Sequence, residues 1–391
     1  MRKITLGYLN ISERGKQYVN EALNNNRLSY GPFTRRFEEE FARAHGCKHA
    51  IFMNSGTSAL QVALAVLKEV YGYRDGDEVI VPATTFIATS NIVLQNNLTP
   101  VFVDVNPDTF NIDPFKMEKA ITSRTRAVIP VHLFGLPANM SMISQIARDQ
   151  ELQIIEDSCE TMFASHLKQS VGSWGDLACF STYVAHLIVG GVGGLVTTND
   201  ARLAELCRSS MQHGRNTIYT NIDQDDIEGD NLKTIMERRY SFERVGYSYR
   251  ATELEAAIAL SELERAPETI AKRRANAAYL KDKLRDVSQL QLPWTPFGSE
   301  HSFMMFPMVV KDVEDREKFL MHLEANGIET RYMFPLLSQP IYKKLFPRLD
   351  VQFPVARRLA RQGFFIGIHQ GLTTEDLDYV SDKIHELEWS L

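Results

Sequence analysis

The sequence predicts an α/β protein with a mixed, mostly parallel sheet in a large first domain and a smaller α+β domain towards the C-terminus. Three observations carry this reading. Short β-branched strands alternate with helical segments between residues 50 and 200, which builds a largely parallel sheet with helices on both faces. Polar and aromatic residues gather where those strands end, the edge at which open α/β sheets collect ligands. From about Leu290 the pattern changes to SFMMFPMVV, a helix REKFLMHLEANG, a strand IETRYM and a last helix from Thr374, which fits an antiparallel sheet with its own helices.

The first stretch, Ser12 to Cys47, is helical, with apolar residues at three- and four-residue spacing in SERGKQYVNEAL and FTRRFEEEFARAHG. Between them RLSYGP is a turn marked by Gly31 and Pro32, either a connector or a loop that contacts a ligand. A strand, Ala50–Met53, then runs through Asn54-Ser55-Gly56-Thr57-Ser58 into a helix that is apolar nearly all round and therefore buried. Such a junction sets unsatisfied N–H groups and hydroxyls at a helix start, where the dipole attracts a phosphate. An ordinary N-cap has the same composition.

The strand VIVP leads into ATTFIATSNIV, with Thr84, Thr85 and Phe86 directly after the strand end. TPVFVDV, RAVIPVHLFG and LQIIEDSCE read as further strands, with helices over Pro114–Ile121 and Ser141–Asp149. Ser55–Thr57, Phe86, His132, Asp157, Glu160 and Ser181 thus all fall at carboxyl ends of strands. Asp157, which closes QIIED, is either a helix cap or the partner of a buried cation.

The run Cys179 to Asp200 reads as strand, polar elbow, glycine-rich turn and second strand. Ser181 lies five residues before His186, and Gly190, Gly191, Gly193 and Gly194 follow. Alone, this is equally a loop that needs glycine for its turns and holds a histidine satisfied by a neighbour. The helix ARLAELCRSSMQHGRN comes next, then an acidic hairpin or lid-like excursion including Asn221–Asp230. ERVGYSYRATELEAAIALSELERAPETIAKRRANAAYLKDKLRDV reads as strongly helical, interrupted at Pro267.

A chain of 391 residues can bury the cores of two domains. A net charge of −6 without a basic block gives no reason to expect nucleic acid as a partner. No apolar h-region follows MRKITLGYLN, and no run approaches the roughly 18 residues of a membrane span, so no membrane partner is expected. The four scattered cysteines, Cys47, Cys159, Cys179 and Cys207, fit no metal spacing and look like the reduced thiols of a cytoplasmic protein.

In order, NSGTSAL, VPATTFIATSN, PVHLFG, IIEDSCE, CFSTYVAH…GVGG, HGRN, GYSYRATELEAAIALSELE and GIETR cover nearly the whole chain. The set resembles the DegT/DnrJ/EryC1/StrS sugar aminotransferases, pyridoxal phosphate (PLP) enzymes of the aspartate-aminotransferase fold, fold type I. The resemblance implies a large cofactor domain over residues 1–265, with an N-terminal helical segment, and a small α+β domain over 266–391. It implies that Gly56, Thr57 and Ser181 hold the cofactor phosphate and that Phe86 stacks on the ring. Asp157 would pair with the ring nitrogen, and Glu160 would stand near the ring hydroxyl, where many members have Gln. Ser248 occupies the place of an Asn that reaches the neighbouring subunit's phosphate, so a homodimer with a shared active site is implied.

His186 departs from the family pattern, because it stands where the Schiff-base lysine belongs. No lysine lies between Lys168 and Lys233 to replace it. Imidazole cannot form an imine with an aldehyde, but it can move a proton near neutral pH. The departure and the run EDSCETM resemble the family's branch of 3-dehydratases of 4-keto-6-deoxy nucleotide sugars. That branch uses noncovalent PLP and pyridoxamine phosphate (PMP), with an amino donor such as glutamate. Some of its members carry an iron–sulfur cluster, which the scattered cysteines here argue against. A nucleotide-sugar aminotransferase and a catalytically silent family member are the other readings.

Overall fold

A computed structural model describes residues 2–216, 233 and 240–387. The acidic stretch Asn221–Asp230 lies outside the described residues. The main sheet has seven strands in the order β1-β9-β8-β5-β4-β2-β3. They are β1 (His49–Met53), β2 (Glu78–Pro82), β3 (Thr99–Val103), β4 (Thr125–Val128), β5 (Gln153–Asp157), β8 (Leu177–Ser181) and β9 (Gly194–Thr198). Neighbours from β8 to β3 are parallel, while β9 runs antiparallel to both β8 and β1. Strands covered on both faces read as continuous apolar runs, and β2, EVIVP, is buried throughout.

Helix α3 (Gly56–Tyr71) is buried along most of its length against β8 and β9. Ser55 caps it by accepting from the Ser58 amide, and Gly72 ends it in the left-handed conformation that glycine adopts without strain. Helices α1 (Glu13–Asn24) and α2 (Pro32–Ala44) pack on α8 (Glu253–Glu264). The Ser29–Pro32 turn leads directly into α2. Glu253 accepts from the Gly31, Phe33 and Thr34 amides at 2.7–2.9 Å and so caps α2.

A second, antiparallel sheet has the order β10-β12-β14-β13, from Leu290–Gln291, Met305–Val310, Gly363–Gly367 and Thr330–Tyr332. Its core also takes in Ile4, whose backbone pairs with Gly327 and Glu329 at 2.9 Å each. The chain's first residues therefore bind the second sheet.

The structure corrects one expected element. Glu243–Thr252 is not helical. Arg250 pairs with Met53 and Ser248 with Gln212, and Gly246 lies so close to Gly214 that a Cβ would collide with its amide. Thr252 and Glu255 form a capping box that starts α8 only at Glu253. The interruption at Pro267 holds, since this proline sits in the first turn of α9 (Ala266–Lys283), where its missing N–H is harmless. The strand expected over IETRYM is shorter, at Thr330–Tyr332.

Candidate active site

A cavity of about 470 Å³ opens between the carboxyl ends of the main sheet's parallel strands and the second sheet. Seven of the eight residues expected at the site line it: Gly56, Thr57, Phe86, Asp157, Glu160, Ser181 and His186. Met304, Met305, Arg331, Phe334 and Phe365 close it from the second sheet's side. Ser248 does not line it; it pairs with Gln212, 3.5 Å from an Arg250 nitrogen. His132 does not line it either. Its ring is buried and bonded to Glu156 at 3.0 Å; Val131 and Leu133 on either side of it line the cavity, so His132 points to the opposite side of the segment.

Each wall follows from local sequence. Gly56 opens α3 where a Cβ would lie 2.8 Å from Cys159 Sγ and 2.9 Å from Ser181 Cβ, so glycine lets the helix start approach β8. No acidic residue stands in that first turn, which leaves the positive end of the helix dipole uncompensated. Ser181 ends β8, its Oγ 3.4 Å from the Tyr183 amide. Phe86 is 57% exposed and meets Phe334 edge-on at 6.3 Å.

Asp157 ends β5. Its carboxylate accepts from Thr89 Oγ1 at 2.7 Å and from the Cys159 amide at 3.2 Å. No helix follows it, so it is not a cap. Burial pushes its carboxyl above the usual range. Among the described residues no cation is paired with it, although a buried carboxylate favours one.

His186 sits in the elbow after β8. Its Nδ1 donates to the Cys159 carbonyl, which fixes the tautomer and leaves Nε2 with the lone pair. Burial lowers its pKa to about 4, so the ring is neutral at pH 7. A neutral, oriented imidazole in a cavity can accept a proton.

Glu160 accepts from the Phe134 amide at 3.0 Å. Burial raises its carboxyl from 4.5 to about 8. A group whose folded pKa is raised binds more protons folded than unfolded, so its contribution to stability falls as pH rises from 4.5 to about 8. Glu160→Gln is therefore expected to stabilise the cofactor-free protein at pH 8, by on the order of 2 kcal/mol, and to have a smaller effect at pH 5. Thermal unfolding of both proteins at the two pH values checks this. An equal difference at both would mean that Glu160 is not held neutral.

Sequence reading missed Thr89, Glu156 and Arg331. Thr89 positions Asp157 from one turn into α4 (Ile87–Gln95), and nothing in ATTFIATSNIV separates it from a helix-surface threonine. Glu156 was findable as an acid inside an apolar strand. Among the described residues, no group of three or more His, Cys, Asp or Glu side chains could hold a metal, and no helix is long and apolar enough to cross a membrane.

The fold is shared with an E. coli GDP-4-keto-6-deoxy-D-mannose 3-dehydratase solved with bound hydrated PLP. The TM-score is 0.87 at 26% identity, over 98% of this chain and 100% of that one. This architecture is the aspartate-aminotransferase-like fold type I of PLP enzymes. The chain belongs to the DegT/DnrJ/EryC1/StrS aminotransferase family, which matches residues 9–385. Relatives include a GDP-perosamine synthase of Caulobacter vibrioides, 36% identical over 93% of each chain. Another is a GDP-4-keto-6-deoxy-D-mannose 3-dehydratase of Escherichia coli O55:H7, 28% identical over 94% of this chain and 95% of that protein.

Proposed function

We propose that the chain is a PMP-dependent 3-dehydratase of a nucleotide-linked 4-keto-6-deoxy sugar, with an amino donor such as glutamate regenerating the cofactor. The observation that carries this reading is His186 at the family's lysine position, oriented and neutral. The cavity fits the cofactor: a buried carboxylate with no cation paired to it among the described residues, a helix N-terminus with no acid in its first turn, and an aromatic ring at the opening. When bound, the cofactor supplies an amine for the sugar's ketone and a ring that accepts electrons.

The protein's part is placement and proton handling. Asp157 would pair with the protonated ring nitrogen, a partner that would favour its charge. Gly56, Thr57 and Ser181 would hold the phosphate, Phe86 would cover the ring and Glu160 would stand near the ring hydroxyl. His186 takes a proton at Nε2 and remains unbonded to the cofactor. Ser248 is exposed and lies away from the cavity of its own chain; in a homodimer it would reach the neighbouring copy's phosphate.

The second reading is a nucleotide-sugar aminotransferase, favoured by the 36% identity to a GDP-perosamine synthase. Incubation with PMP and a 4-keto-6-deoxy nucleotide sugar separates the two by product mass. A 3-deoxy-4-keto sugar lighter by one oxygen atom, its C3 hydroxyl lost as water and the transferred nitrogen released as ammonia, supports dehydration; a 4-amino sugar supports transamination, and no turnover of any keto-sugar leaves the silent member.

A further inference from the structure

We propose that Arg331 binds a carboxylate of the amino donor, making the wall formed by the second sheet an anion subsite of the same cavity. The inference rests on the reading that an amino acid regenerates the cofactor. Among the described residues that line the cavity, Arg331 is the one lysine or arginine, while the acids Asp157 and Glu160 line the opposite, main-sheet side. An anionic donor entering there needs a cation, and the α3 terminus is committed to the phosphate.

Arg331 is also held. It lies in β13, paired with Phe365 of β14, and Phe334 and Phe365 line the cavity with it. Its Nη1 donates to the Thr330 carbonyl at 2.6 Å and its Nη2 to Glu329 Oε1 at 2.6 Å. Glu329 Oε2 in turn accepts from the Leu6 amide at 3.1 Å, and Leu6 lines the cavity too. The N-terminal segment thus braces Glu329, and Glu329 braces the guanidinium. A guanidinium has five N–H donors and two are used here, so enough remain for a two-bond grip on one carboxylate.

The nucleotide's diphosphate is the competing anion. It carries more charge than this site supplies, because Glu329 already offsets much of the guanidinium and no second lysine or arginine among the described residues lines the cavity. A single carboxylate matches one braced guanidinium.

The test uses PLP-loaded protein and glutarate, an unreactive dicarboxylate, followed by the cofactor's absorbance. Arg331→Ala is expected to weaken glutarate about 10- to 100-fold, the range of a charged hydrogen-bonded contact, and to raise the KM for glutamate similarly. GDP and dTDP should bind the variant within about twofold of the parent, a margin well below the change expected for glutarate. Arg331→Lys keeps the charge but loses the fork, so it should also weaken glutarate; this arm holds if the alanine variant is unstable. Unchanged glutarate affinity in both variants, or no binding to the parent, overturns the proposal. A selective loss of GDP or dTDP binding also overturns it and assigns Arg331 to the diphosphate. Glutarate binding needs no turnover, so failure of the dehydration assay leaves this result readable.

Discussion

Replacing His186 by asparagine is expected to lower the rate of water loss from a 4-keto-6-deoxy nucleotide sugar by about 10²–10⁴-fold, the usual contribution of a positioned proton-transfer group. The amide can still donate to the Cys159 carbonyl, so the elbow keeps its shape, but it offers no basic nitrogen. The loss should therefore appear in kcat with little change in KM. The pH profile is a second readout. With its pKa lowered to about 4, the imidazole is already the free base at pH 5, and the rate should fall only as pH drops through about 4. An acid limb near the ordinary ~6.5 would mean that the ring is solvated during turnover. His186→Lys is the complementary variant: it should be trapped on PLP by borohydride and lose dehydration. A lysine variant that dehydrates as fast as the parent would remove His186 from the reaction.

The main sheet was legible because strands covered on both faces read as apolar runs, β-branched in β2, β3 and β9. The ends of those strands were legible for the same reason, and they carry seven of the eight expected site residues. What escaped depends on orientation and on contacts between distant segments. In QIIED the alternation of faces is hidden, because both sides are apolar. Asp157 therefore stood out at the strand end while Glu156, one residue earlier and pointing to the other face, did not. His132 sits in the expected segment, but its ring turns to Glu156 and not to the cavity. Arg331 lay inside a recognised motif, yet its role depends on how the second sheet packs on the first. The helix read through GYSYR starts only at Glu253, because Gly246, Tyr247, Ser248 and Tyr249 are weak helix formers and the segment pairs with Met53 and Gln212 instead.

Glu156→Ala is expected to destabilise the protein by about 3–5 kcal/mol, the cost of breaking a buried charged network from one side. The Glu156 side chain is fully buried and accepts four hydrogen bonds. Oε2 takes His132 Nε2 at 3.0 Å and the Gly172 amide at 2.9 Å. Oε1 takes the Trp174 amide at 2.8 Å and the Gly175 amide at 2.9 Å. His132 Nδ1 accepts from the Ala138 amide, so its Nε2 must carry the proton and donate. All four partners are donors, and this makes glutamine a poor substitute: its NH₂ would face two N–H groups that need an acceptor. Glu156→Gln should therefore also destabilise, by less than alanine. Urea unfolding of the cofactor-free protein measures both variants. The effect should reach the cavity as well. The His132 amide donates to the Asp157 carbonyl at 3.0 Å, and its carbonyl accepts from Thr161 Oγ1 at 2.6 Å, so the network clamps the turn that carries Asp157, Cys159 and Glu160. PLP should bind Glu156→Gln more weakly even though Glu156 does not line the cavity. A glutamine variant as stable as the parent would show that the carboxylate's charge is not needed to hold the turn.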